Sequence, residues 1–174
     1  MRPQVHVYIA VSLDGFIARD DGGLDWLEPM QVEGQDYGYA QFFAGIDALV
    51  LGRNTYDSVL SFPQWPFEGK RVVVLTHRPV APDHGETVHA GPLATLLQEL
   101  AKTGVQGVYL DGGQAIRQGL RERLVDSITL NVVPVLLGRG RPLFDASVPL
   151  SHWQLESSRA YASGLVQNRY RLRP

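Results

Sequence analysis

Short aliphatic runs rich in β-branched residues alternate along this chain with segments of helical spacing, and two alternating stretches close it. The runs are VHVYIAVS (5–12), DALVLG (47–52), KRVVVLTHRP (70–79), VQGVYLDGG (105–113) and the strand inside VDSITLNVVPVLLGRGRPLF (125–144). Each reads as a strand, because β-branched side chains suit a pleated surface. Between them, Tyr39, Phe42, Phe43 and Ile46 fall on one helical stripe within residues 35–46. RNTYDSVL starts a short helix that Pro63 must end. Residues 91–104 carry proline near the start and finish with glycine, the usual helix asymmetry, and residues 114–124 are amphipathic. Residues 80–91 read as a solvated loop, and LDGFIARDDGGLDWLEP as a long one. Residues 152–161 and 164–173 alternate around Ser163-Gly164 and read as an antiparallel hairpin. Strands that alternate with helices and end in a hairpin predict one α/β domain over residues 1–174, mostly parallel, with antiparallel strands at one edge.

Composition removes several function classes. The 174 residues include no cysteine, so disulfides, thiolate metal sites and thiol nucleophiles are excluded. His6, His77, His84, His89 and His152 form neither H-x-H nor H-E-x-x-H, and no metal site is expected. Ser12, Ser58 and Ser61 lack the G-x-S-x-G setting of a hydrolase nucleophile. The formal charge is -2 with interspersed signs, so neither a nucleic-acid nor a membrane partner is expected. No apolar run nears the roughly 20 residues that span a bilayer. The N-terminus reads as a first strand and not as a leader, which makes a cytoplasmic protein the expectation.

Three strand ends carry unusual chemistry, and open α/β sheets bind ligands at that side. Asp111 precedes Gly112-Gly113-Gln114-Ala115, where two glycines lead into a helix start, a ready anion site or a plain tight turn. Gly52-Arg53-Asn54-Thr55 repeats the design. An arginine in a first helical turn opposes the helix dipole and is better placed beside a bound anion, although a solvated arginine fits the pattern too. Leu75-Thr76-His77-Arg78 adds a hydroxyl, an imidazole and a guanidinium. Together they point to a ligand with several phosphates, held without a Walker loop or a G-x-G-x-x-G turn.

The ordered set SLDGFIA, LGRNTY, VLTHR, LDGGQAI and PVLLGRGRPLF resembles the dihydrofolate reductase superfamily, in the branch of the riboflavin-biosynthesis reductase domain. The resemblance runs from about residue 5 to the C-terminus. It implies a three-layer domain with a central mixed sheet of about eight strands, NADPH as cofactor and a homodimer. By motif, Arg53 and Thr55 match residues on the 2′-phosphate side and the pyrophosphate, and Thr76, His77 and Arg78 match the segment reading the 2′-phosphate. Gly112, Gly113, Gln114, Ala115 and Ile116 match the pyrophosphate turn, where the family usually has a cis Gly-Gly bond. Ala10 and Ile17 match positions flanking the nicotinamide, and Asp14 and Gly15 lie in the loop that covers it.

Asp36 lies sixteen residues before Gly52, the spacing of the acidic residue in folate-reducing relatives. On a helix over 35–46 it shares a face with Tyr39, Ala40 and Phe43. There it is either a proton donor with a raised pKa or a helix cap facing water. Trp26 matches the tryptophan segment of the substrate cleft, or is a core residue. Phe42 and Phe43 divide between core and pocket, with Phe43 assigned to the substrate. No arginine for a glutamate tail and no ribose-phosphate set is evident. The expected function is an NADPH-dependent reductase of a small heterocyclic or carbonyl compound; the alternative is a non-catalytic NADP(H)-binding module on the same fold.

Overall fold

The computed structural model describes all residues from Met1 to Pro174. The order is β1 (Gln4–Ser12), β2 (Phe16–Ala18), a 3-10 turn (Asp25–Met30), α1 (Tyr39–Ala44), β3 (Ala48–Gly52), α2 (Arg53–Leu60), β4 (Arg71–Leu75) and β5 (Thr87–His89). It continues with α3 (Leu93–Lys102), β6 (Gly107–Asp111), α4 (Gly113–Arg121), β7 (Ser127–Val133), β8 (Arg141–Pro142), β9 (Trp153–Ala160) and β10 (Val166–Leu172). Eight strands form one sheet in the order β5-β4-β3-β6-β1-β7-β10-β9, and β2 pairs with β8 apart from it. Pairing is parallel from β5 through β7, then antiparallel to β10 and β9.

Alternation along each strand builds the layers. Val5, Val7, Val50, Val73, Val108 and Leu110 enter one core with Leu93, Leu97 and Leu100 of α3 and Ile116 and Leu120 of α4. Leu49, Leu51, Val72, Val74 and Tyr109 face the other way, onto Tyr56 and Val59 of α2 and the aromatic side of α1. The continuous apolar runs are therefore strands buried on both faces.

Several boundaries differ from the sequence expectation. The helix expected over 35–46 begins only at Tyr39, because Gly34, Tyr37 and Gly38 all take positive φ. The 125–144 segment yields β7 and then stops at Pro134, which has no N–H for the ladder. Residues 80–91 are not wholly solvated. They contain β5 and the buried Glu86, which accepts the Tyr56 hydroxyl at 3.2 Å and the His84 N–H at 2.8 Å. No helix is long and apolar enough to cross a membrane.

Candidate active site

A cleft of about 640 Å³ opens at the carboxyl ends of β3, β4 and β5 and along the first turns of α4. Its wall includes Gly52, Arg53, Leu75, Thr76, His77, Arg78, Gln114 and Ala115, so three separate strand ends converge as the motifs implied. It also includes Arg117, Gln118 and Arg121, which the motif reading passed over. Their signal was present: Arg117 and Arg121 recur at i, i+4 on the helix that follows the glycine pair.

The start of α4 forms the floor. Gly112 has φ +104, and a Cβ there would stand 2.8 Å from Thr55 Oγ1 and 3.3 Å from the Gly52 nitrogen. A Cβ on Gly113 would meet Ile17 Cδ1 at 2.8 Å. The two glycines thus let α2, β2 and α4 approach one another, which brings Thr55 and Ile17 to the turn. No side chain caps α4. The N–H groups of Gly113, Gln114 and Ala115 occupy the first three helical positions, where a helix offers no carbonyl, so they suit an anion. Ile116 does not share that role. Its side chain lies in the core and its N–H donates to the Gly112 carbonyl at 2.8 Å. All peptide bonds are trans, including Gly112–Gly113, where the resemblance implied cis.

Charge at the mouth is partly internal. Arg53 Nε donates to Asp57 Oδ1 at 2.8 Å, and Nη1 donates to the carbonyls of Arg78 at 3.3 Å and Pro79 at 3.0 Å. Arg53 therefore clamps α2 to the segment after β4, instead of lying free in solvent. The Thr76 hydroxyl accepts the Arg78 N–H at 3.1 Å and shapes that turn. His77 and Arg78 are exposed. Arg117 pairs with Asp145 at 3.1 Å, and Arg121 Nη1 donates to the Ser147 hydroxyl at 3.0 Å.

The aromatic face of the sheet meets this floor at Asp111, the last residue of β6. Burial pushes its carboxyl up to about 6, against the lowering effect of the Gly112 N–H and the Tyr109 hydroxyl. Tyr109 Oη donates to the Tyr8 carbonyl at 3.0 Å and lies 3.5 Å from Asp111 Oδ2. Burial first, and the Asp111 charge second, push Tyr39 up to about 12. Phe42 stacks on Tyr8 at 5.0 Å and meets Tyr109 edge-on at 5.0 Å, which completes an apolar wall. Sequence reading missed Asp111 as a titrating group, although a carboxylate ending a fully apolar strand was visible.

The other substrate-side expectations change. Asp36 is exposed, and its oxygens accept the N–H groups of Ala40 and Gly38, each at 3.0 Å. Those bonds lower its pKa, Ala40 contributing most, so the expected rise is reversed. It caps the start of α1. Phe43 packs on Tyr39 and Phe67 beneath Lys70, whose Nζ stands 5.0 Å from the ring. Lys70 directly precedes β4, so Phe43 sits at the amino ends of the strands, away from the cleft. Trp26 is 5 % exposed in a cluster with Val133 and Leu165 that Ala10 borders, and its Nε1–H has no partner. Asp14 accepts the N–H groups of Leu137 and Gly138, which ties the Asp14-Gly15 turn to the loop before β8.

An eight-stranded, mostly parallel α/β sheet with a hairpin edge and a basic cleft at a helix start defines a domain of the dihydrofolate-reductase-like fold. Residues 3–167 match the RibD C-terminal domain, and the chain belongs to that family. A Shewanella sp. PV-4 protein, provisionally described as a riboflavin biosynthesis protein, has a crystal structure that superposes with TM-score 0.91 at 34 % identity over 100 % of both chains. The uncharacterised Bacillus subtilis protein YwjB is 35 % identical over 83 % of this chain and 84 % of its own length. The riboflavin biosynthesis protein RibD of Corynebacterium ammoniagenes is 28 % identical over 80 % of this chain, which spans only 45 % of that protein.

Proposed function

We propose that the protein is an NADPH-dependent reductase that transfers a hydride to a planar heterocycle of the pyrimidine or pterin kind, or to a related carbonyl compound. The observation that carries the reading is the meeting of the uncapped α4 start, its two obligatory glycines and the Arg53 and Arg78 strand ends in one cleft. The residues present fit a dinucleotide with an added phosphate. Free N–H groups of Gly113 to Ala115 suit the pyrophosphate. Arg78 and His77 suit the ribose phosphate, with Arg53 fixing the turn that presents them. A bound reduced nicotinamide supplies the hydride.

The proton has to come from the protein side. Asp111 is the group suited to it, because burial raises its carboxyl to about 6, so that a fraction still carries a proton near neutral pH and can give it up to a more basic ring nitrogen or oxygen. The Gly112 N–H holds Oδ1 at 2.9 Å, and Oδ2 stands 3.5 Å from the Tyr109 hydroxyl. Tyr8, Tyr39, Phe42 and Tyr109 exclude water and offer faces to a flat ring. A cytoplasmic location and a homodimer belong to the same proposal.

Loss of reduced-nicotinamide absorbance, followed against pterins, ribosylaminopyrimidines and simple carbonyls, tests the activity. Tight dinucleotide binding without turnover of any member supports the non-catalytic alternative.

A further inference from the structure

Asp57 puts a negative charge beside the most basic corner of the cleft. Its Oδ1 accepts the Arg53 Nε–H at 2.8 Å, and its Oδ2 lies 4.0 Å from Arg78 Nη2. It does not line the cleft itself. An isolated i, i+4 pair of this kind contributes little to a helix, yet this carboxylate touches two guanidinium groups from two different elements. Arg53 does not need it for placement, since Nη1 already donates to the Arg78 and Pro79 carbonyls. Its remaining effect is on charge: two guanidinium groups less one carboxylate leave the corner with one net positive charge.

We propose that Asp57 sets the cofactor preference of this protein, by offsetting half of the guanidinium charge at the corner that takes the extra ribose phosphate. The assignment rests on the reductase reading above. A phosphate monoester carries about -1.5 to -2 at neutral pH. Bound there, it meets attraction from Arg53 and Arg78 and repulsion from Asp57. An unphosphorylated dinucleotide presents only a neutral hydroxyl and is insensitive to that balance. Asp57 thus holds down the discrimination that the two arginines would otherwise give.

Calorimetric titration of NADP⁺ and NAD⁺ into the full chain tests this without a substrate. Asp57→Asn is close in shape and removes the charge. It is expected to tighten NADP⁺ about tenfold, the order of effect of one unit charge on a near-dianion held nearby in a water-accessible site. NAD⁺ affinity should move less than twofold. Glu156→Gln removes the same charge from β9, five strands from β3 and about 24 Å away at the usual strand spacing. It should alter neither affinity. Weaker NADP⁺ binding in Asp57→Asn overturns the proposal, because the carboxylate then serves to orient the arginines. An equal shift for both dinucleotides also overturns it, because the charge then acts on the shared pyrophosphate. If the unaltered protein takes up neither dinucleotide, the reductase reading itself falls, and this assignment with it.

Discussion

Two aspartates show how one residue type divides by environment. Asp36 sits at a helix start among free N–H groups, which stabilise its charge. Asp111 ends a buried strand beside tyrosines, and desolvation destabilises its charge. Its folded-state pKa is raised above the unfolded value, so the neutral form is favoured by folding. The associated stability is present below the unfolded pKa and is lost as pH rises through about 6. Asp111→Asn, which cannot ionise, is therefore expected to raise stability at neutral pH by about 2 kcal/mol in denaturant titration. The same change should lower kcat at least about 100-fold, as loss of a general acid does. It should also remove the decline in kcat expected of the unaltered protein as pH rises through about 6. Asp36→Ala should lower Tm by roughly 2–4 °C through the lost cap and leave kcat alone. A fall in kcat there would restore Asp36 to catalysis.

At the scale of elements, the α4 start carries most of the proposed cofactor site. Its motif was readable because two adjacent glycines after an apolar strand mark a backbone that other chain must approach. Gly112→Ala meets both obstacles, a φ of +104 and a Cβ 2.8 Å from Thr55 Oγ1. It is expected to lower stability by about 2–4 kcal/mol and to weaken dinucleotide binding more than tenfold. Chemical unfolding and calorimetry read the two effects, and a variant with unchanged affinity would remove the turn from the site. Ile116 belongs to the same motif but turns inward, because the first helical turn places the fourth residue after Gly112 on the core stripe. Motif matching carries a segment over whole, whereas helix phase separates its members. The short α1 makes the converse point. The Tyr39, Phe42, Phe43 stripe was legible, but its extension back to Asp36 was not, since Gly38 adopts a left-handed conformation just before the first turn.

At the scale of the molecule, both edges of the sheet are open, and the β9 edge is far longer than the three-residue β5 edge. β9 pairs only with β10, and Leu155 on it is 52 % exposed. Exposed edges are usually covered or charged. Within the homodimer proposed above, this edge is the surface to be covered. Light scattering should then give about twice 19.3 kDa, and Leu155→Glu should return the mass to that of one chain. A monomeric parent protein would refute the assignment. The edge is distant from the cleft, so such a variant should keep its dinucleotide affinity.

The sequence by itself determined the layers and the order of strands and helices, because periodicity records burial and burial is what drives the fold. It also determined the glycine turns that lead into helix starts, because glycine pairs and helix starts act through local backbone geometry. The tertiary structure alone decided which carboxylate is desolvated, which aromatic faces Asp111 and which acid reaches Arg78. Those properties depend on the field and packing made by residues far apart in the chain. Asp57 and Arg78 lie on different elements, and Tyr8 and Tyr109 on strands joined only by the sheet. No local pattern in the sequence carries such a meeting.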